Sequence, residues 1–331
     1  MTNMERACIG CKVRGRYLQP GGYTYTACNS QGKRISLGAP LEAVLSIEED
    51  TPADAFTGVF PWKSIYEELE PVFLEICGGG EVVFFGPVDE LQRRFSSEGC
   101  MLEIAARSMA ALLLDNEAIP QTYAYPSLPL LFERHGKPYG FTEWEGEPSG
   151  FSVPFTITKG MSEWEVLSLF CSRYLKVPLR ARGKRLEALE ERKEEFPLLQ
   201  FGREIPILEC SAEDKMCERY SEILVKPENT ETFALSVFDG EAKSLGIRRR
   251  RLLSGSTEQA REALVKATRR AFCAEVLSPG LPEAGVGAAA CLTLPNWGKE
   301  ISGLYVSGLR YSLSSSGERC RYTLRKKEVD V

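Results

Sequence analysis

Short segments that alternate apolar and polar residues recur from one end of this chain to the other. Successive side chains of a strand point to opposite faces of a sheet, so an alternation of period two predicts half-buried strands. This recurrence predicts an α+β chain that is rich in β-structure. The clearest of these segments occupy residues 7–17, 23–28, 41–49, 81–88, 100–107, 151–158 and 288–294, with three more between 205 and 238.

The chain nearly ends on a predicted β-hairpin at residues 303–326. One face of the hairpin is apolar, and the other carries Arg319, Arg321 and Arg325. We expect the apolar face to pack on a long helix nearby. The apolar face consists of Tyr305, Leu309, Tyr311, Leu313, Cys320, Tyr322 and Leu324.

Two predicted helices begin with a capping box, in which a serine and the acidic or amide residue three positions later satisfy each other's backbone amides. Ser162 with Glu165 begins one of them, and Ser256 with Gln259 begins the long helix, which is predicted at about 256–275. The remaining predicted helices are short or strongly charged and occupy residues 62–73, 109–118 and 183–197.

The composition excludes several classes of function. The 331 residues carry a net charge of −5, and no apolar run approaches the roughly 20 residues that span a bilayer. Nothing in this charge favours nucleic acid as a partner. No apolar segment of signal-peptide type begins the chain, so we expect synthesis in the cytosol and reduced thiols. The single histidine, His135, is predicted in a polar loop and excludes a zinc site with two histidines.

Cysteine and glycine motifs do not predict a ligand site. The pair Cys8 and Cys11 lacks the second pair of a zinc ribbon and falls in a predicted strand. The glycine-rich segment 76–81 precedes a strand, whereas a phosphate loop precedes a helix, so it predicts a hairpin turn. No metal-binding or cofactor-binding residue is predicted.

Charged clusters are equally weak signals. The four arginines at 248–251 can serve nucleic acid or an acidic partner, or form a solvated face. Glu143 and Glu145 flank Trp144 and are the best available pair for acid–base chemistry, with solvated loop charges as the alternative. The sequence therefore predicts no catalytic residue, and favours a protein whose surfaces, rather than pockets, perform its function.

Three islands of sequence resemble the baseplate hub proteins of contractile phage tails, the late-control D group, which also occurs in tail-like bacteriocins. The C-terminal island runs from a capped helix through a glycine and proline loop to the last hairpin. Tyr311 stands near the family's common histidine, which is a departure. The matching residues are Gly86, Val88, Leu102, Ile104, Arg107, Leu114, Asp115, Gly160, Trp164, Val166, Gly303, Tyr305 and Val306.

The resemblance implies two β-barrel domains of tail-tube type in each chain. Residues 1–112 would form the first, with an acidic insert at about 48–70, and residues 206–331 the second, with the helix at about 256–275. Residues 113–205 would form a mixed α/β middle domain.

The resemblance also implies a non-enzymatic role. Three chains would form a homotrimeric, pseudo-sixfold ring that adapts the tail tube, or a tube initiator protein, to the central spike. In that ring the basic face of the last hairpin would meet a neighbouring subunit or the channel; the alternative is a hairpin whose basic face is solvated. Other baseplate proteins would be further partners, and no membrane is expected. Nucleic acid is expected only as passing through the channel. The protein would assemble in the bacterial cytoplasm and become part of the virion or of a released tail-like particle.

Two other functions are compatible with the sequence. One is a peptidoglycan-degrading tail enzyme that uses Glu143 or Glu145. The other is a carbohydrate-binding β module, which the aromatic loop at 123–144 favours.

Overall fold

A computed structural model describes residues 22–327 except 69, 80, 98, 191–195, 228–229, 281, 283 and 295–298. The α-helices are α1 Ala110–Leu114, α2 Leu128–Leu131, α3 Glu163–Phe170, α4 Gly240–Ser244 and α5 Thr257–Ala271. The strands are β1 Thr24–Asn29, β2 Arg34–Ser36, β3 Glu42–Glu48, β4 Ala55–Pro61, β5 Pro71–Gly78, β6 Glu81–Ser96, β7 Gly99–Arg107, β8 Gln121–Tyr123, β9 Glu143–Glu145, β10 Phe155–Ile157, β11 Leu179–Arg182, β12 Arg185–Ala188, β13 Leu199–Phe201, β14 Glu209–Asp214, β15 Glu222–Lys226, β16 Leu235–Phe238, β17 Arg250–Ser254, β18 Phe272–Pro279, β19 Ala289–Leu294, β20 Lys299–Ser314 and β21 Gly317–Lys326.

One sheet of 13 strands organises the molecule and confirms the predicted β-rich α+β class. Eight of its strands follow one another in the order β14-β18-β21-β20-β3-β4-β7-β6, and every neighbouring pair is antiparallel. The first half of β6 turns aside to pair β5, and the first half of β20 likewise pairs β19. We call the eight consecutive strands the main sheet.

The main sheet is an internal repeat that the sequence did not reveal. Strands β3, β4, β5, β6 and β7 pair with one another as β14, β18, β19, β20 and β21 do, in the same chain order. The long strands β6 and β20 each have a register shift, after Val88 and after Val306, where they change partners. Counting from these bulges, Leu91 corresponds to Leu309 and Phe95 to Leu313. The two repeats meet inside the chain, where β3 pairs β20.

Each repeat has its own apolar core, and β20 contributes to both. Leu309 lies in the core of the second repeat with Val276 and Tyr322. Tyr311, two residues further along, lies in the core of the first repeat with Leu45. Both positions point to the same side of the sheet, so the cores adjoin along the β3–β20 junction.

The region between the repeats has a separate core built on α1, α2 and α3. The predicted capping box at Ser162 is confirmed, and α3 buries Trp164 and Phe170. The prediction that His135 lies in a polar loop is wrong. Its side chain is buried, with Nδ1 2.5 Å from Glu163 Oε2 and Nε2 2.9 Å from the Tyr123 hydroxyl.

Several predicted elements differ from the structure. The charged stretch 183–197 contains β12 instead of a helix, because Leu186 and Ala188 are buried at alternate positions. The acidic stretch at about 48–70 contains β4, which β3 and β7 pair on both sides. The long helix ends at Ala271, and the chain continues directly into β18.

Residues 215–271 form an insertion between the neighbouring strands β14 and β18. Its three-stranded sheet, β16-β15-β17, is covered by α5, whose capping box at Ser256 is confirmed. The buried residues Ala260 and Leu264 of α5 pack on Ile223 and Val225. The expectation that α5 covers the apolar face of the last hairpin is therefore wrong: apart from Tyr305, whose hydroxyl donates to Glu49, that face lies within the two repeat cores.

Candidate assembly surface

The outward face of the main sheet is mostly polar. The alternation that buries Leu45, Phe56 and Ile104 inside places mainly polar residues outside. The apolar exceptions include Val44, Val59 and Leu277. Arginines lie at the middle of this face, because β20 and β21 supply Arg310, Arg319, Arg321 and Arg325. The basic face predicted for the last hairpin is thus part of a much wider surface.

Ion pairs neutralise part of this face. Arg321 lies 3.3 Å from Glu275 on β18 and 3.6 Å from Glu209 on β14. In the first repeat, Arg94 Nε lies 2.9 Å from Glu103 Oε1 across the β6–β7 pair. These pairs connect strands that are one or two positions apart in the sheet, and hold the long side chains close to it.

Arg107, one of the residues that carry the family resemblance, ends β7 in a bidentate arrangement. Its guanidinium donates to Asp89 at 2.7 Å and to Asp115 at 2.6 Å. The hydrogen bonds to Asp89 and Asp115 raise the pKa of Arg107, and the hydrogen bond from Arg107 lowers the pKa of Asp115. The ion pairs connect the main sheet to the chain that leaves it after α1.

Gly86 lies beside Arg107, where the backbone leaves no room for a side chain. A Cβ atom at Gly86 would overlap the carbonyl oxygen of Arg107. The amide of Met109 donates to the carbonyl of Phe85 at 3.2 Å, which holds the two segments together. Only glycine lets the backbone after β7 cross β6 this closely.

The junction between the repeats is built on a buried tyrosine. The Tyr311 ring meets Tyr23 edge-to-face at 4.9 Å between centroids, and its hydroxyl donates to Glu318 Oε1 at 2.9 Å. Burial raises the pKa of Tyr311 and raises that of the neighbouring Tyr25 to about 12. Both phenols therefore stay neutral hydrogen-bonding groups at physiological pH.

In the described part of the chain, the last hairpin is paired on both sides. Strand β20 is paired by β3 and β19, and β21 is paired by β18. Within the described residues, the main sheet instead has its unpaired edges at its two ends. These are the outer edge of β14 and the outer edge of β6 from residue 88 to 96, which we call the β14 edge and the β6 edge.

The β6 edge carries an exposed aromatic side chain. Phe95 is 83% exposed, although its counterpart Leu313 packs against the core of the first repeat. At the other end, Ala212 of β14 is exposed, while its counterpart Leu45 of β3 is fully buried. Positions that are covered where β3 pairs β20 are thus exposed at the corresponding places on the β6 edge and the β14 edge.

The residues singled out for chemistry do not converge on a site. Glu143 is held by Arg185, with 2.5 Å between Glu143 Oε2 and Arg185 Nη2. The glycine-rich segment forms the predicted turn, with Gly78 opposite Glu81. Cys8 and Cys11 lie outside the described residues. In the part of the chain that is described, no group of three or more metal-ligating side chains is placed to hold an ion.

Most of the aromatic residues in the loop at 123–144 pack on the core of the middle region. Phe132 and Phe141 are buried in the core of the middle region, while Tyr125 is exposed. No helix among the described residues has the length and apolar character to cross a bilayer.

Comparison with solved structures identifies the architecture. The tail protein of Neisseria meningitidis MC58 superposes with a TM-score of 0.74 at 15% identity, covering 93% of this chain and 98% of that one. The fold is that of phage tail proteins. The 43 kDa tail protein of prophage MuSo2 from Shewanella oneidensis gives a TM-score of 0.71 at 15% identity, covering 92% and 96% of the two chains.

A third similar structure comes from a secretion system. The E. coli c3393 protein is described as a component of the type VI secretion system that is structurally similar to the T4 bacteriophage tail proteins gp27 and gp5. It superposes with a TM-score of 0.50 at 9% identity, covering 86% of this chain and 73% of that one. No family model and no curated protein matches the sequence.

Proposed function

We propose that this protein is the non-enzymatic baseplate hub of a contractile tail or tail-like particle. Three copies would close into a pseudo-sixfold ring that joins the tail tube, or its initiator, to the central spike. The protein would be assembled in the bacterial cytoplasm and carried in the particle. The division into tube-type domains 1–112 and 206–331 with a middle domain 113–205 belongs to this proposal.

The observation that carries the proposal is the repeat with its uncovered ends. Inside the chain, β3 of the first repeat pairs β20 of the second. The counterparts of these strands are β14 and β6, which are the two strands of the main sheet whose outer edges have no partner among the described residues. A β14 edge that pairs the β6 edge of the next copy would repeat the inner junction. Such a head-to-tail interface is heterologous, and a heterologous interface closes into a ring when its rotation allows.

The inner junction predicts the register between copies. Ser312 lies opposite Val44 on β3, and their counterparts are Arg94 on β6 and Ser211 on β14. Arg94 of one copy would therefore lie opposite Ser211 of the next, and Phe95 opposite Cys210. Directly opposite residues of antiparallel strands place their Cβ atoms about 4.5–5.5 Å apart, close to the range of a disulfide.

The fit of the three-copy ring rests on the tail-protein fold and on the resemblance to hub proteins. Six repeats would match a sixfold tube, and three copies of a two-repeat chain supply six. The polar outward face of the main sheet would line the channel, with nucleic acid only as passing cargo. The similarity to a secretion-system component supports the spike and other baseplate proteins as partners.

Disulfide trapping tests the ring. We expect the double variant Arg94→Cys, Ser211→Cys to form a covalent trimer under mild oxidation, as measured by non-reducing electrophoresis and light scattering. The single variants control for the native thiols, and Arg94→Cys with Glu209→Cys controls for register, because it is displaced by two residues. Covalent dimers only, or equal trapping in the displaced pair, would refute the proposed closure.

A further inference from the structure

The insertion carries a surface that the repeat does not require. In the first repeat a short turn at 49–54 joins β3 to β4, but in the second the insertion 215–271 joins β14 to β18. Its base is closed by the Lys215 amide, which donates to the carbonyl of Ala271 at 2.7 Å. The insertion therefore stands on the sheet as a unit with its own core.

A groove of about 500 Å³ opens on this insertion, between its base and the segment that follows α4. Its floor is aliphatic, because Met216, Leu245 and Ile247 line it. Leu245 is 54% exposed and Met216 is 41% exposed, so apolar surface faces solvent here. A partner that covered these two side chains would remove apolar surface from water.

The rim of the groove is basic. Arg248 and Arg249 line it, and Arg249 donates to the carbonyl of Met216 at 3.0 Å, which holds its guanidinium across the groove. Of the four arginines, Arg250 is the one with an ion pair to a described carboxylate, Glu222 at 2.9 Å. The positive charge of Arg248 and Arg249 is thus left without a described acidic partner.

We propose that this groove binds an acidic peptide segment with aliphatic side chains, presented by another protein. Carboxylates would pair the guanidinium groups at the rim, and the aliphatic side chains would cover Met216 and Leu245. Arginine donates charge-assisted hydrogen bonds to carboxylates, often two in parallel, and this fixes the orientation of the two groups. No aromatic side chain lines the groove, whereas a single-stranded nucleic acid site uses aromatic stacking. The proposal does not depend on the ring.

The full chain can be tested with a labelled synthetic peptide of alternating glutamate and leucine, followed by fluorescence anisotropy. We expect saturable binding that weakens at least about tenfold in Arg248→Glu, Arg249→Glu. The matched control Arg134→Glu, Arg173→Glu makes the same change in net charge on the middle region and should bind as the wild type does. Arg248→Glu alone disturbs no described contact, and should weaken binding in the same direction.

The aliphatic floor has its own test. Leu245→Ser should weaken binding by about tenfold, because it removes half-exposed apolar surface without opening a core. Equal binding by Leu245→Ser would show that the groove only attracts charge, and would overturn the proposal. Tighter, arginine-dependent binding of a single-stranded oligonucleotide would also overturn it, as would no peptide binding at low salt.

The chain itself ends in a segment of similar chemistry, with Glu328 and Asp330 alternating with two valines. A variant that lacks residues 328–331 separates this occupant from a partner protein. Unchanged peptide affinity in that variant supports a partner. An affinity at least tenfold higher would show competition by the chain's own end, and would overturn the assignment to another protein.

Discussion

Strands β6 and β20 have the same design but different surroundings. Each has 16 residues, changes partner at a bulge and turns into the last strand of its repeat. The second half of β20 is paired on its other side by β3, whereas the second half of β6 has no described partner there. The comparison shows that the same kind of strand edge is paired within the chain at β20 and has no partner among the described residues at β6.

The largest effect on stability is expected at the β3–β20 junction, where Tyr311 is buried. Tyr311→Ala should lower the free energy of unfolding by about 3–5 kcal/mol, because it empties an aromatic site shared by Tyr23 and Tyr25. Urea unfolding of the purified chain measures it. Tyr311→Phe is the matched control and should cost only about 1 kcal/mol for the hydrogen bond to Glu318. An Ala variant as stable as the Phe variant would contradict the buried junction.

The second test concerns the insertion, which is present in only one repeat. Asp239 is buried and accepts from Arg219, Thr268 and the Ala242 amide. Burial alone would raise the pKa of Asp239, but these hydrogen bonds outweigh it and leave the pKa lowered. Asp239→Asn should cost about 1–3 kcal/mol, because the buried Arg219 guanidinium then keeps only the half-exposed Glu241, at 2.9 Å, as a charged partner.

Hydrogen exchange of residues 215–271 measures the Asp239 effect region by region. The lowered pKa stabilises the insertion at pH values above the ordinary aspartate pKa of about 3.9, and the benefit disappears as pH falls through the folded-state pKa. The wild type should therefore lose protection there on acidification, while Asp239→Asn should show a smaller dependence. Equal loss of protection in β3–β7 would show that the insertion is not a separate unit.

A smaller effect than at Tyr311 is expected at Gly86, whose counterpart in the second repeat is Leu304. Gly86→Ala should cost about 1–3 kcal/mol, because the added methyl group meets the Arg107 carbonyl. Thermal unfolding measures it. Gly99→Ala is a control of a different kind, since a Cβ there meets nothing, and only its positive φ of 113° opposes the change. A neutral Gly86→Ala would mean that the crossing after β7 is looser than described.

The smallest effect on the isolated chain should come from the β6 edge. Phe95→Ser should change the free energy of unfolding by no more than about 0.5 kcal/mol, because the side chain is 83% exposed. The same substitution at Leu313 should destabilise the chain, because Leu313 packs on the first core. Under the proposed ring, Phe95→Ser should also weaken self-association, measured by sedimentation, whereas the substitution at Leu313 should not. A destabilised Phe95→Ser chain would erase the distinction between the two edges.

Local patterns predicted much of the fold. The period-two strands at 41–49 and 100–107 and both capping boxes are confirmed, because burial of alternate residues and capping are decided within a few residues. The helix predicted at 183–197 was wrong for residues 185–188, because charged residues that favour a helix also occupy the outward positions of β12. His135 was misplaced because its partner Glu163 lies 28 residues away.

The candidate surface was only partly predictable. The arginines of the last hairpin were visible, but which edges stay uncovered depends on β3 pairing β20, a contact between distant parts of the chain. Phe95 looks like any inward residue of an alternating strand until its lack of cover is known. Sequence alternation indicates which face of a strand is buried, but it carries no information about which strand pairs with it in the sheet.

The β3–β20 pair also has a consequence for synthesis. Glu48 on β3 faces Gly308, and the pair forms only after the ribosome has delivered β20. Until then the N-terminal half presents an uncovered strand and an incomplete core, which is the kind of surface that invites aggregation or chaperone binding. Native folding of the first repeat must therefore wait for the synthesis of β20, and it should be slow, because this contact has a very long sequence separation.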